Sequence, residues 1–366
     1  MDQPPQSTGS SQPPIQPLLV PEPGAVPPPR KSRVFVRLLL TLLVLGLIGS
    51  VVLNVVLMAI VGLAGIGSAD GEGRVQEKFV SHNHYGAEKV AILSIEGTIL
   101  TGDGFFKQQI DHARKDAEAG NLKALVVRVN SPGGTVNGSD DMLYQLRRLA
   151  ADTHIPVVVS MGALAASGGY YVSMCVGDQP GTIFAEPTTL TGSIGVIIPH
   201  YNLADLMKNW GIQEDPVVSN PLKTMGSFAH KMTEEERKIF QDLVDGGFTQ
   251  FKDVIKGGRP QFRKDPEALD KLATGQIFTA QQALGNGLID KIGYLEDAVK
   301  AAIRLAKLDK ANVKVVRYKA EPRLADILFG RSRVEPSLAL AALLDSATPR
   351  TYYLCTWLPP LASSAK

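Results

Sequence analysis

The longest feature of the hydrophobic pattern is an apolar run near the N-terminus. Residues 38–67 are almost uninterruptedly apolar, with Asn54 as the most polar member. As a helix this run would be about 45 Å long, more than the roughly 30 Å hydrocarbon core of a bilayer requires. It is longer, and farther from the N-terminus, than the apolar core of a signal peptide. A soluble helix of this length would not be apolar on every side. The pattern therefore predicts an uncleaved membrane anchor over residues 34–67.

The flanks of the run predict its orientation. A basic cluster at residues 30–37 precedes it, whereas Asp70 and Glu72 follow it. By the positive-inside rule, residues 1–33 stay in the cytoplasm and the rest of the chain lies outside it. Residues 1–33 are rich in Pro, Gln and Ser, which predicts a disordered tail. Residues 68–87 are interpreted as a polar linker.

From residue 88 onward, short β-prone segments alternate with amphipathic helical ones. Alternation of strands and helices predicts an α/β domain with a parallel sheet, here over residues 88–306. A C-terminal extension, residues 307–366, follows, with an edge strand expected at 313–316. The predicted strands of the first units are 90–95, 122–129 and 155–159, and the predicted helices are 105–119 and 138–151.

Three later segments also have clear patterns. Residues 233–255 have helical periodicity, and Thr233 and Glu236 stand at capping-box spacing. Residues 295–305 form a further predicted helix, and 337–344 a short one. Residues 352–358 are apolar and aromatic, and exposed aromatic clusters lower solubility. We therefore expect this segment to dock on its own protomer or a neighbouring one, near the cleft of the domain.

Composition excludes several function classes. The 366 residues have a formal net charge of +2, and the basic residues are scattered. This balance gives no support for nucleic-acid binding. Cys175 and Cys355, the two cysteines, are far apart and have no metal-ligand spacing. The sequence therefore predicts neither a metal site nor a cofactor.

Ser167 is the first candidate for chemistry. It follows a buried strand and a turn of small residues, at the point where a helix can begin. Unpaired N–H groups and the positive end of the helix dipole favour negative charge on an oxygen there. Gly168 and Gly169 would let a substrate backbone approach closely. From this stretch alone, a nucleophile and an ordinary serine helix cap both remain open.

A serine nucleophile needs a base, which is usually histidine. None of the six histidines stands in a triad motif, although position does not exclude His200 and His230. A lysine surrounded by apolar groups can also act as a base, because burial disfavours the charged form. Lys223 has Leu222 and Met225 close in sequence, and no acidic residue between 217 and 232. The alternative for Lys223 is an ordinary surface lysine.

A glycine turn could stabilise the oxyanion of a serine peptidase. Gly133 and Gly134 could supply one backbone N–H, and Gly168 a second. The alternative interpretation of residues 130–134, Asn-Ser-Pro-Gly-Gly, is a plain β-turn.

Several motifs together resemble one family. They are residues 130–134, Ala-Ala-Ser-Gly-Gly-Tyr-Tyr at 165–171, Leu-Thr-Gly-Ser-Ile-Gly at 190–195, Lys223, and Gly-Leu-Ile-Asp at 287–290. With these motifs, residues 89–306 resemble the signal peptide peptidase A (protease IV) family of the ClpP/crotonase superfamily, in its short, single-domain bacterial form. A four-residue surplus around residues 177–181, and Ser219-Asn220-Pro221 before the lysine loop, depart from the family pattern.

The resemblance implies roles for the site residues. Ser167 would be the nucleophile, Lys223 the general base, and Ser193 a hydrogen-bond partner of the lysine. The glycines of the 130–134 turn, Gly133 and Gly134, would form part of the oxyanion hole, which Gly168 would complete.

The resemblance also implies partners and a location. We expect a homo-oligomeric ring or dome on the extracytoplasmic (periplasmic) side of the cell inner membrane, which degrades cleaved signal peptides and other apolar peptides. Two rivals are open. One is a related membrane peptidase that cuts a stomatin-like partner. The other is a crotonase-fold acyl-CoA enzyme or non-catalytic scaffold, although a CoA enzyme would not need the anchor.

Overall fold

The computed structural model describes residues 33–66, 75–321 and 352–354. The chain divides into two compact units, residues 1–67 and residues 68–366. The helix expected at 337–344 lies outside the described residues.

The first unit contains one long helix, α1 (Arg33–Ile66). Its 37–54 portion has a mean hydropathy of 2.1, and none of that portion is buried against protein. Within the described ranges it is the one helix long and apolar enough to cross a membrane. The predicted apolar helix is therefore confirmed, and its length and composition are sufficient to span a bilayer.

The second unit is built on a nine-stranded sheet in the order β1-β10-β2-β3-β5-β6-β9. Neighbours from β10 to β9 are parallel, whereas β1 is antiparallel at one edge. Strand β7 pairs with the end of β5, and β8 pairs with β7. A separate ribbon joins β4 to β11. The strands are β1 (Val75–His82), β2 (Glu88–Glu96), β3 (Leu122–Ser131), β4 (Gly133–Thr135), β5 (Val157–Ala166), β6 (Ile183–Ala185), β7 (Leu190–Gly192), β8 (Ile277–Thr279), β9 (Lys291–Ile292), β10 (Val313–Ala320) and β11 (Tyr352–Leu354).

Helices cover both faces of the sheet, which buries its β-branched strands as the parallel arrangement requires. Alternate residues of β2, β3 and β5 pack under α10 on one face, and the others pack under α2, α3, α4 and α6 on the opposite face. The helices of this unit are α2 (Phe105–Glu118), α3 (Val136–Thr153), α4 (Gly168–Ser173), α5 (Ala204–Asn209), α6 (Glu234–Gly258), α7 (Pro260–Lys264), α8 (Pro266–Leu272), α9 (Ala280–Gly285) and α10 (Leu295–Leu305).

Several predicted elements are confirmed. The parallel βα units are present, and α10 has the predicted bounds. The capping box at Thr233 and Glu236 starts α6, with both reciprocal hydrogen bonds formed. Hydrophobic periodicity and capping residues, which act locally, are sufficient to predict these elements from the sequence.

Two predictions about the ends of the domain are wrong. Part of the expected polar linker, Val75–His82, forms strand β1. The segment expected as an edge strand is β10, which lies between β1 and β2. Strand β1 is mostly exposed and polar because it occupies the edge, so its sequence lacks a buried-strand pattern.

Candidate active site

The predicted nucleophile lies at the carboxyl end of β5, beside the end of β7. Ala166 pairs with Gly192, so Ser167 and Ser193 each follow a strand end in adjacent strands. The Ser167 N–H donates to the Gly192 carbonyl at 2.7 Å, and the Ser193 N–H donates to the Gln276 carbonyl at 2.7 Å. The sheet therefore brings these two predicted residues together, at the edge where α/β proteins place their sites.

The backbone at Ser167 is strained and its hydroxyl is unpartnered. Its φ of 54° and ψ of −116° lie in a region that non-glycine residues rarely adopt. The residue is 1% exposed, and its Oγ has no hydrogen-bond partner in the described parts of the chain. Ser167 occupies the N-cap position of α4, yet its side chain makes no cap hydrogen bond. The helix-cap alternative therefore does not account for this hydroxyl.

Three predicted glycines meet beside Ser167. Gly133 has a φ of +96°, and a Cβ there would lie 2.6 Å from the Gly168 nitrogen. A Cβ on Gly134 would lie 1.7 Å from the Ile99 carbonyl oxygen, and one on Gly168 would lie 3.2 Å from the Gly134 nitrogen. Only glycine fits these close backbone approaches.

The N–H groups of the three glycines differ in their partners. The Gly133 N–H donates to Ser131 Oγ at 3.0 Å. On one edge of β4, the Gly133 carbonyl accepts the Ile99 N–H and the Thr135 N–H donates to the Ile99 carbonyl. Because the N–H groups of successive strand residues face opposite edges, the Gly134 N–H faces the other edge of β4. Gly168 is the first residue of α4, where the helix has no internal acceptor for its N–H. Gly134 and Gly168 are therefore the two donors suited to an oxyanion, and Gly133 shapes the turn.

Lys223 lies in a different environment. It belongs to a single 3-10 turn, Pro221–Thr224, and its side chain is exposed. Within the described ranges its ammonium group makes no hydrogen bond or ion pair, and the unpartnered Ser167 Oγ makes none to it. Among the described residues, one copy of the chain thus forms no hydrogen bond between Lys223 and Ser167.

The segment around Lys223 exposes large apolar side chains. Tyr201 and Trp210 are each 77% exposed, and Val217 is fully exposed. Exposure of several large apolar side chains in one segment is typical of a surface that meets a partner or a membrane.

The two histidines left open by position make other contacts. His200 Nε2 lies 3.2 Å from the Ser227 carbonyl oxygen, and His230 bonds to the Thr224 and Lys231 carbonyls. Neither contacts Ser167, so neither is its base in this arrangement.

An ionic cluster lies at the β1 edge of the sheet. Glu77, His112 and Asp116 are close enough to share a metal ion. However, the buried Lys89 ammonium lies 2.5 Å from a carboxylate oxygen of Glu77 and of Asp116. Burial alone would raise the pKa of Glu77. Hydrogen bonds from Lys89 and His112, together with the Lys89 charge, have the larger effect and lower this pKa below its usual value. The lysine charge offsets part of the charge of the two carboxylates, and the cluster joins β1 to β2 and α2.

Aromatic residues next to the glycine turn were not predicted as site residues. Tyr171, four residues after Ser167, contacts Phe251 of α6 and Tyr353 of β11. The Tyr171 hydroxyl donates to Asp140 Oδ1 at 2.6 Å. The signal in the sequence is the apolar segment at 352–358, which we expect to dock on its own protomer or a neighbouring one, near the cleft.

The chain is similar in sequence to several known proteins. The model of peptidase family S49 matches residues 150–309. A Synechocystis sp. protein provisionally named as a protease is 37% identical over 75% of this chain and 95% of its own length. An Enterococcus faecium protein provisionally named signal peptide peptidase SppA is 36% identical over 63% of this chain and 67% of its own length.

A solved structure is also similar. The 1510-N membrane-bound stomatin-specific protease aligns with a TM-score of 0.41 and 18% identity, over 64% of this chain and 99% of that one. The family match and the two relatives, one of them matched over almost its whole length, establish that the chain belongs to peptidase family S49 and is a serine peptidase.

Proposed function

We propose that this protein is a membrane-anchored endopeptidase with a Ser167–Lys223 dyad, carried on a ClpP/crotonase-like domain, that degrades cleaved signal peptides and other apolar peptides. One observation carries the proposal. The buried, unpartnered hydroxyl of Ser167 lies at a strand end beside two backbone donors, Gly134 and Gly168. A hydroxyl with no structural partner, next to an oxyanion site, is suited to nucleophilic attack.

The chemistry follows from these positions. Ser167 Oγ attacks the scissile carbonyl carbon while its proton passes to neutral Lys223 Nζ. The Gly134 and Gly168 N–H groups hold the resulting oxyanion. When the tetrahedral intermediate collapses, the C–N bond breaks and the leaving amine takes the proton from Lys223. Water, activated by the same lysine, then releases the acyl group and restores Ser167.

Ser193 is proposed to orient the lysine. It is 7% exposed, has a φ of 52°, and is held next to Ser167 by the pairing of β5 with β7. Its hydroxyl can accept a hydrogen bond from an ammonium group, or donate one to a neutral amine. Loss of this hydroxyl should lower kcat more than it raises KM.

Assembly is proposed to complete the dyad. Lys223 is exposed in one copy and lies on a segment with exposed Tyr201, Trp210 and Val217. A second copy seated on this apolar segment would bury it and exclude water from the lysine. We propose that Lys223 reaches Ser167 of an adjacent copy in a closed ring or dome, since head-to-tail contacts close into rings.

The anchor supports the substrate class and location. Helix α1 is exposed and apolar, and the basic residues precede it in the chain. A catalytic unit held at the extracytoplasmic face of the inner membrane would meet apolar peptides left in or near the bilayer. The anchor would therefore hold the catalytic unit where its apolar substrates are found.

A cleavage assay tests this function. The full chain in detergent or lipid is given a set of unrelated apolar signal-type peptides and a matched set of polar peptides. We expect cleavage of many apolar peptides and little of the polar ones, with loss of activity in Ser167→Ala. The control is Ser173→Ala, which removes another buried α4 hydroxyl, one that donates to the Gly169 carbonyl at 2.8 Å.

The rival functions give different results in the same assay. A peptidase specific for one stomatin-like partner would leave most apolar peptides intact and cut one sequence. A non-catalytic scaffold would cut none of them, and Ser167→Ala would then change nothing.

A further inference from the structure

A histidine bonds to the turn that carries Lys223. Residues 221–224 form the 3-10 turn, and the Lys223 N–H donates to the Asn220 carbonyl at 2.9 Å. The carbonyl of Thr224, the next residue, accepts a hydrogen bond from His230 Nε2 at 3.1 Å. The imidazole ring of His230 therefore holds the backbone directly after the proposed base.

Both ring nitrogens of His230 face acceptors. Nε2 lies 3.1 Å from the Thr224 carbonyl oxygen, and Nδ1 lies 3.0 Å from the Lys231 carbonyl oxygen. A carbonyl oxygen only accepts hydrogen bonds, and a neutral imidazole has one N–H to donate, whereas the charged imidazolium has two. Both hydrogen bonds are therefore formed only when the ring is charged.

The charged groups around His230 favour the same form. A carboxylate oxygen of the buried Glu236, on α6, lies 3.8 Å from Nε2. The carboxylate of Glu214 attracts the ring more weakly from the preceding segment. The ammonium group of Lys231, the next residue, lies 3.4 Å from a carboxylate oxygen of Asp205, which offsets its charge. The surroundings of the ring are thus acidic on balance.

These contacts raise the pKa of His230 above its usual value of about 6.5. The hydrogen bond to the Lys231 carbonyl is the largest cause, partial burial opposes it, and the Thr224 carbonyl and the two carboxylates add to it. Because the folded-state pKa lies above the unfolded one, the contribution of the charged ring to stability is full below the unfolded value. It is lost as pH rises through the folded value.

We propose that His230 is a positioning residue for Lys223, whose charged ring holds the 3-10 turn in place and whose loss of a proton releases the turn and lowers activity. This inference rests on the proposed peptidase function. A general base must lie within hydrogen-bond reach of the proton that it accepts, so the backbone that carries it must be held. A four-residue turn forms few hydrogen bonds of its own, which leaves this task to contacts such as that of His230.

The first test compares two substitutions in the full, assembled chain. His230→Arg keeps a charge and several donors at every pH, whereas His230→Gln has no charge. The kcat for one apolar peptide is measured from below about pH 6.5 to well above the raised pKa. Each value is divided by that of wild type at the same pH, which cancels the titration of every group that the proteins share.

The two ratios should change with pH in different ways. For His230→Gln, we expect kcat to be lower than wild type by about 3- to 10-fold in mild acid, the effect of one hydrogen bond at a partly exposed site. This difference should vanish in alkali. For His230→Arg, the ratio should be near one in mild acid and rise above one in alkali, and KM should change little in either variant.

The control for these substitutions is His200→Gln. The ring of His200 has one carbonyl contact, 3.2 Å from Nε2 to the Ser227 oxygen, which a neutral ring or an amide can also make. Its kcat ratio should therefore not change with pH.

The second test measures the turn without catalysis. Hydrogen exchange is followed at the N–H groups of Lys223 and Met225, which bond within the turn to Asn220 and Leu222. We expect exchange in His230→Gln to be about 3- to 10-fold faster than in wild type in mild acid, and equal to it in alkali. The N–H of Phe251, a fully buried residue of α6, should exchange at the same rate in both.

The outcomes separate this inference from the proposed function. Peptide cleavage with kcat ratios that do not change with pH would overturn the positioning role and leave the peptidase intact. Equally faster exchange at Phe251 would also overturn it, because His230 would then stabilise the whole unit. Exchange at the turn that depends on pH, without cleavage of any peptide, would support the hold on the turn and overturn the proposed chemistry. Absence of both effects would overturn both proposals.

Discussion

The surroundings of Ser167 and of Lys223 differ sharply within one chain. Ser167 is buried at the end of a central strand, where the hydrogen bond from its N–H to the Gly192 carbonyl and the packing of three glycines fix its position. Lys223 is exposed on a 3-10 turn, in a segment whose aromatic and aliphatic side chains are also exposed. The fold thus preorganises the proposed nucleophile and oxyanion donors, whereas the proposed base would need a further contact to reach them.

This difference has a functional consequence. A serine hydroxyl without a base is a weak nucleophile, so an isolated copy of this kind would be inactive. Activity would appear only where copies meet, which would restrict proteolysis to the assembled, membrane-held enzyme.

The largest expected effects are losses of activity on substitution of Ser167 or Lys223, and co-assembly of the two variants tests whether these residues act across copies. Ser167→Ala and Lys223→Ala should each lower kcat by more than about 10³-fold, because both act in the same step. If Lys223 serves an adjacent copy, co-assembly of the two inactive variants in equal amounts should restore about a quarter of wild-type activity. Peptide cleavage by the mixed assembly is the measurement, and Lys208→Ala, an exposed lysine of the same segment, is the control.

Two results would contradict that assignment. A mixture that stays inactive, although mass measurement shows mixed rings, would place the lysine in the same chain as its serine. Near-normal activity of Lys223→Ala alone would remove the lysine from the mechanism.

A second prediction tests the close backbone packing of the glycine turn beside Ser167. Gly134→Ala places a Cβ 1.7 Å from the Ile99 carbonyl oxygen, so β4 must move. We expect loss of activity and a decrease of about 3 kcal/mol in the free energy of unfolding. Gly285→Ala, with open space at its Cβ, is the matched control and should not destabilise the protein. Denaturant titration of each variant supplies the comparison, and a stable, active Gly134→Ala would refute the close-approach argument.

A third prediction concerns the ion pair that supports the start of β6. Asp290 bonds to the nearly buried Arg259 at 2.7 Å and accepts the N–H groups of Thr182 and Ile183. Asp290→Ala would leave the arginine charge unpaired, which should cost about 3 kcal/mol of stability.

The control for the ion pair is on the surface. Asp178 pairs with Arg263, and both side chains are about half exposed. Asp178→Ala should cost less than about 1 kcal/mol in thermal or denaturant unfolding. Equal effects of the two substitutions would contradict the assigned role of burial.

The smallest expected effect lies at the β1 edge. The pKa of Glu77 is lowered from 4.5 in the folded protein, so its contribution to stability is present above that value and is lost as pH falls through the folded pKa. Glu77→Gln should destabilise the protein at neutral pH by about 1 kcal/mol or less, because solvent screens part of the interaction. The difference from wild type should shrink below about pH 4 in acid unfolding. A difference that instead grows in acid would reverse the assigned sign.

The sequence predicted the βα units and the turn at Ser167, because strand propensity, small residues and helix capping act locally there. It did not predict β1, because an exposed edge strand has no apolar alternation. The position of β10 between β1 and β2 depends on pairing between residues more than 200 positions apart. The docking of Tyr353 beside Gly134 depends on distant pairing in the same way, although the aromatic segment itself was expected to pack.

The roles of Ser167, Lys223, Ser193 and the oxyanion glycines remain predictions of the resemblance, supported by the geometry around Ser167. The environment of Lys223 could not be derived from its apolar sequence neighbours, because its side chain is exposed in one copy. Sequence neighbours determine local conformation, whereas burial of this lysine would require the proposed contact between copies.

Covalent labelling of the assembled enzyme tests the central claim most directly. A serine-reactive probe is added to wild type and to Lys223→Ala, both shown by mass measurement to be fully assembled, and the labelled peptide is identified. The dyad predicts modification of Ser167 in wild type and its loss in Lys223→Ala. Labelling of another serine, or undiminished labelling of Ser167 without the lysine, would contradict it.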